Sequence, residues 1–87
     1  MDDSILTKLK ARLDDAFTWP CTYVFKFIAP QSESQALIAV FQGRPTSTRQ
    51  SAKGNYISVT AELEMQNSDE VITIYREAAK IKDVIAL

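Results

Sequence analysis

Residues 56–65, Tyr-Ile-Ser-Val-Thr-Ala-Glu-Leu-Glu-Met, alternate strictly between apolar and polar positions. Successive side chains of a strand point to opposite faces of the sheet. Ile57, Val59, Ala61, Leu63 and Met65 therefore share one face, and Tyr56, Ser58, Thr60, Glu62 and Glu64 share the other. One dry face and one wet face belong to a sheet covered on one side only. A sheet covered on both sides would show continuous apolar runs instead. The rest of the chain must be arranged around a half-covered sheet.

The flanking segments supply the remaining elements. Residues 3–17 place Leu6, Leu9, Leu13 and Phe17 three or four apart, with Ile5 and Ala16 beside them, which predicts an amphipathic helix. Asp2, Asp3 and Ser4 offer capping oxygens and negative charge where the helix dipole favours them. Trp19-Pro20 stops it, because a residue before proline is pushed out of helical angles. Thr22 to Ile28 alternates again, with Tyr23, Phe25 and Phe27 expected inward and Val24, Lys26 and Ile28 outward, and Pro30 is expected to break this strand. Ser32 with Gln35 suggests a capping box for a short helix reaching Phe41, burying Leu37, Val40 and Phe41, with Gly43 as its C-terminal cap. Arg44 to Ser51 is polar and holds Pro45, as an edge strand can. Asn67 or Ser68 caps a further helix whose stripe is Val71, Ile74, Tyr75, Ala78 and Ile81, and Asp83 to Leu87 reads as a short last strand.

After the opening helix the order is strand, helix, strand, strand, helix, strand. That is the α+β, ferredoxin-like split βαβ sandwich: a four-stranded antiparallel sheet with two helices on one face, preceded here by an extra N-terminal amphipathic helix. The 87 residues are expected to form one domain, 3–17 as the added helix and 19–87 as the ferredoxin-like core. The opening helix cannot leave its leucines wet at low cost. Val24, Ile28, Ile85 and Leu87 on the helix-free side of the sheet are its expected platform, and a second copy of the chain is the competing one.

Composition narrows the function classes. At 46% apolar and 24% charged residues, the chain is neither disordered nor membrane-spanning in character, and no apolar run approaches a bilayer span. The start Met1-Asp2-Asp3 is not that of a secretory signal, and a single cysteine, Cys21, permits no internal disulfide; both suit a reducing cytoplasm. Ten basic residues against eleven acidic ones argue against general nucleic-acid binding. The chain has no histidine, which removes Ser-His and Cys-His nucleophile pairs and imidazole metal ligands. No enzyme activity, cofactor or metal is expected.

The corner Ala52-Lys53-Gly54-Asn55 could be a phosphate cradle or a hairpin bend. A phosphate loop joins a strand to a helix N-terminus and carries more glycines. This one lies between two strands, where a tight turn requires positive φ and Gly54 with Asn55 supplies the residues for it. The hairpin is the better reading.

The segments Trp19-Pro20-Cys21-Thr22-Tyr23-Val24-Phe25-Lys26 and Ser51-Ala52-Lys53-Gly54-Asn55-Tyr56-Ile57-Ser58-Val59, with Pro45 before the second, resemble the YbeD-like family of small bacterial proteins. The likeness covers roughly residues 17–87. It implies a ferredoxin-like fold similar to ACT domains, the regulatory modules that bind amino acids beside metabolic enzymes, and it implies no catalytic residue. The chain departs from the family pattern in its long amphipathic first helix and its short helix at Ser32 to Phe41.

The candidate contact residues are Lys26, Arg44, Arg49, Ser51, Lys53, Tyr56 and Ser58. From Gln42 to Asn55 there is no acidic residue, so Arg44, Arg49 and Lys53 offer a cationic hairpin to an anionic ligand or an acidic protein surface. Charge that protects an edge strand from aggregation explains the same residues more simply. Lys26, Tyr56, Ser58 and Thr60 share the helix-free face, which carries stacking aromatics in RNA-binding domains of this topology. Here it holds one tyrosine beside Glu62 and Glu64, which repel phosphate. Cys21 is best read as a structural thiol, and Asp14-Asp15 and Glu62/Glu64 as solvated carboxylates. The expected role is a non-enzymatic, ACT-like regulatory or interaction module binding a small metabolite or a partner protein. A nucleic-acid-binding domain or small enzyme on the same scaffold is the alternative.

Overall fold

A computed structural model describes residues 3–87. In chain order it comprises α1 (Asp3–Ala16), β1 (Cys21–Pro30), a 3-10 turn (Gln31–Glu33), α2 (Ser34–Ala39), β2 (Ser47–Gln50), β3 (Tyr56–Met65), α3 (Ser68–Ala78) and β4 (Ile85–Ala86). The strands form one antiparallel sheet in the order β2-β3-β1-β4. This is the ferredoxin-like split βαβ arrangement with an added N-terminal helix.

The alternation of β3 works as the sequence requires: Ile57, Val59, Ala61, Leu63 and Met65 are buried. On β1, Phe25 and Phe27 lie inward and fully buried, while Val24 and Lys26 point out. One hydrophobic core joins these side chains to Leu37 and Phe41 beyond them, and to Val71, Ile74, Tyr75 and Ala78 of α3. Aromatic rings dominate it, with Tyr23, Phe25, Phe27, Phe41 and Tyr75 in tilted and edge-to-face contact. The Tyr23 and Tyr75 hydroxyls bond to each other at 2.9 Å, so the two polar ends in this cluster satisfy each other.

The first helix lies elsewhere than the sequence suggests. It does not dock on the helix-free face; it runs antiparallel alongside α3, with Leu6 and Leu13 inserted into the core. Burial of Leu6 and Leu13 carries its packing, and polar residues that hydropathy does not reveal fasten it against α3. The Lys10 ammonium donates to the buried Ser68 hydroxyl at 2.7 Å and pairs with Asp69 at 3.1 Å, while Arg76 meets Asp3 at the other end. Asp69 and the Asp14 carboxylate beside it raise the Lys10 pKa. The Ser68 hydroxyl, then Lys10 and the Trp19 indole, hold Asp14 below the usual carboxylate range. Leu9 is half-buried and Phe17 stays partly exposed against Trp19 and Tyr23, so only part of the expected stripe is covered. Of the three residues expected to cap this helix, Asp2 lies outside the described residues.

Smaller corrections concern element ends. Pro30 closes β1 as its last paired residue, opposite Tyr56. The Ser32–Gln35 capping box does not form; the chain enters α2 through the 3-10 turn, with no side-chain cap on either element. The edge strand shortens to Ser47–Gln50, and the last strand to Ile85–Ala86. At α3 the cap is Asn67, whose side chain accepts from the Glu70 N–H at 3.0 Å, while Glu70 reaches back to the N–H of Gln66.

Candidate interaction face of the sheet

The register places the outward side chains in rows across all four strands. Ile85 of β4 lies beside Ile28 of β1, then Ser58 of β3, then Arg49 of β2. The next row holds Lys26, Thr60 and Ser47, and Leu87 joins it through its N–H to the Lys26 carbonyl at 2.9 Å. Further along come Val24 beside Glu62 and Thr22 beside Glu64; at the opposite end Tyr56 lies beside Pro30. No helix of the described residues covers this face. Val24 is 54% exposed, Tyr56 50%, Ile85 54% and Leu87 63%.

Of the residues singled out from sequence, Lys26, Arg49, Tyr56 and Ser58 do share this face, and Ser51 and Lys53 stand in the hairpin at its end. The hairpin forms as expected. Ser51 N–H donates to the Tyr56 carbonyl and Gly54 N–H to the Ser51 carbonyl, both at 2.9 Å, and Gly54 has φ +72°. The Ser51 hydroxyl accepts from the Tyr56 N–H at 3.2 Å, and Asn55 accepts from the Gln31 N–H through its carbonyl. Of the two turn residues, only Gly54 takes the left-handed conformation.

Arg44 does not join them. Its Nε donates to the Phe41 carbonyl at 3.1 Å, and it lines a groove between α2 and α3 with Glu70 and Glu77. The cationic group expected from sequence is therefore split between the two sides of the sheet.

Beside the hairpin, Ile28, Arg49, Ser51, Tyr56 and Ser58 line a shallow hollow of about 520 Å³ that is wide open to solvent. Charge is uneven along the face. Lys26 and Arg49 sit in the rows nearer the hairpin, Lys53 is in the loop, and the two glutamates occupy the far rows. Lys26, Arg49 and Lys53 form no ion pair among the described residues, as is also true of Lys8 and Arg12 on α1, whereas Lys10, Arg76 and Lys80 are paired. Apolar surface and unpaired positive charge therefore coincide in one half of the face.

Cys21 is half-buried, in a chain without histidine. Burial, with the Tyr23 hydroxyl next, pushes the Tyr75 phenol above its ordinary range, which makes it a poor proton carrier at neutral pH. No cluster of three or more metal-ligating side chains occurs among the described residues, and no helix is long and apolar enough to cross a membrane. Val24, Ile28, Ile85 and Leu87, expected from sequence to carry α1, are instead left without a helix over them among the described residues. On β1, apolar residues occupy both parities of the alternation, so its outward face is only partly polar.

The fold and its half-covered sheet define a small α+β protein of the ferredoxin-like class. The comparisons with known proteins give its family: residues 14–87 match the model of the family described as "Protein of unknown function (DUF493)", and the chain belongs to it. It is 33% identical over 84 residues to a UPF0250 protein of Shewanella amazonensis, spanning 87% of this chain and 94% of that protein. It is 31% identical over 84 residues to one from Shewanella oneidensis, with the same two shares. A UPF0250 protein of Idiomarina loihiensis is 28% identical over 82 residues, 86% of this chain and 93% of the relative. The resemblance to the YbeD-like bacterial family is thereby borne out. No solved structure matches the chain at a significant level.

Proposed function

We propose that this chain is a non-enzymatic interaction module of the cytoplasm, ACT-like in design, that engages a partner protein through the open face of its sheet. One observation carries the reading. Val24, Tyr56, Ile85 and Leu87 are each at least half exposed, and all four lie on the one sheet face that no helix covers. Apolar surface gathered in this way marks contact sites, whereas single exposed apolar residues do not. A partner protein fits better than a metabolite. Small-molecule sites bury about 70–90% of their ligand, and the hollow beside Arg49 is open and shallow.

The test is site-specific photo-crosslinking in the cells that make the protein. A crosslinker at Tyr56 should capture a defined protein that the same crosslinker at Ile38, exposed on α2, does not. Identical products from both positions, or none from Tyr56, would contradict the reading. A thermal-shift screen with free amino acids should show no stabilisation; a saturable shift would point to the metabolite instead.

A further inference from the structure

The open face has a chemical polarity that specifies its partner more closely. Its hairpin half holds Tyr56, Ile28, Ile85 and Leu87 together with Lys26 and Arg49, and Glu62 and Glu64 lie beyond it. Asp83, close in sequence to β4, lines a hollow with Phe27 and Ala78 on the helix side of the sheet. No Asp or Glu side chain among the described residues therefore interrupts the hairpin half. We infer that this half receives an acidic amphipathic helix of a partner protein, its apolar stripe on Ile28, Tyr56, Ile85 and Leu87 and its carboxylates toward Lys26 and Arg49.

Three features support a helix of that character. The opposite face of the same sheet already takes helices, with α2 and α3 laying apolar side chains on inward residues of β1 and β3. A row across four strands spans roughly 14 Å at about 4.8 Å per strand, enough to seat one helix about 10 Å wide. The unpaired cations stand beside aliphatic side chains, so a segment with carboxylates flanking leucines meets both at once, and electrostatic matching adds specificity to apolar burial. RNA suits the surface less well, because sequence-tolerant stacking uses aromatic platforms and this face is mainly aliphatic, with Tyr56 as its one ring.

This inference rests on the interaction-module reading, and the experiment separates the two. The intact chain is titrated, by amide NMR and fluorescence anisotropy, with a synthetic helix-forming peptide whose leucines recur at helical spacing and are flanked by glutamates. The controls are the same peptide with lysines for glutamates, and a single-stranded oligouridylate. The glutamate peptide should bind about ten-fold tighter than the lysine peptide, a difference of about 1.4 kcal/mol, and more weakly as salt rises. Its shifts should cluster at Ile28, Arg49, Ser58 and Ile85. The combined Lys26→Glu and Arg49→Glu variant should invert the preference while keeping the native melting temperature, since both side chains are exposed and unpaired. Equal binding of both peptides at the open face would overturn the acidic partner but leave the interaction face standing. Shifts confined to α2 and α3, or no binding by either peptide, would overturn both, and preference for the oligonucleotide would replace the partner protein with RNA.

Discussion

The two faces of the sheet are built from the same strands and differ in how completely their side chains are satisfied. On the covered face, Phe25, Phe27, Val59 and Met65 are essentially inaccessible. Most polar groups around that layer are matched as well, Tyr23 with Tyr75 and Lys10 with Ser68, Asp69 and Asp14, while the Gln31 Oε1 is buried without a partner. On the open face, Val24, Ile85 and Leu87 remain wet and Lys26 and Arg49 unpaired. Folding has drawn its stabilisation from the first face and left the second with unused apolar area and charge. The first therefore governs stability and the second is the proposed site of recognition, so substitutions on the two faces should affect different measurements.

The largest expected loss is at the centre of the covered face. Phe25→Ala removes a fully buried ring in contact with four others and should cost about 3–5 kcal/mol, read as a fall in the urea midpoint. Leu6→Ala comes next, at about 2–5 kcal/mol, because α1 is part of the core. A Leu6→Ala variant as stable as the native chain would reduce α1 to an appendage. Gly54→Val should cost about 1–2 kcal/mol through backbone strain alone: φ is +72° and a Cβ there would meet nothing within 4 Å. The acid limb offers a smaller test. Asp14 has its pKa lowered on folding, so its contribution is present above the unfolded value of about 3.9 and is lost as pH falls through the lower folded value. Below about pH 4 the melting temperature should fall more steeply for the native chain than for Asp14→Asn. At the far end, Val24→Ser on the open face should change stability by no more than about 0.5 kcal/mol.

Period carried most of the fold into view. Strict alternation in residues 56–65 marked β3 and its faces, and apolar spacing of three to four marked α1 and α3. The place of α1 was not legible, because a leucine stripe states that it will be buried and not against what. One contact between α1 and α3 joins Lys10 to Ser68, 58 positions apart, and Ser68 reads locally as a helix cap. The candidate site was half legible for a related reason. Parity placed Lys26, Tyr56 and Ser58 on one face, but Arg44, close to Arg49 in sequence, precedes β2 and turns toward α2 and α3. Net charge hid the rest, since the near balance of the whole chain conceals the unpaired cations beside the hairpin.

The central claim is tested most directly by the double variant Tyr56→Ser with Ile85→Ser, assayed for capture of the Tyr56-face partner through a crosslinker placed at Ser58. Neither exposed side chain belongs to the core, so the two changes together should cost no more than about 1 kcal/mol, a shift in melting temperature of at most about 4–8 °C. Capture should fall to background. A variant that keeps its melting temperature and captures the partner as well as the native chain would contradict the assignment of recognition to the open face.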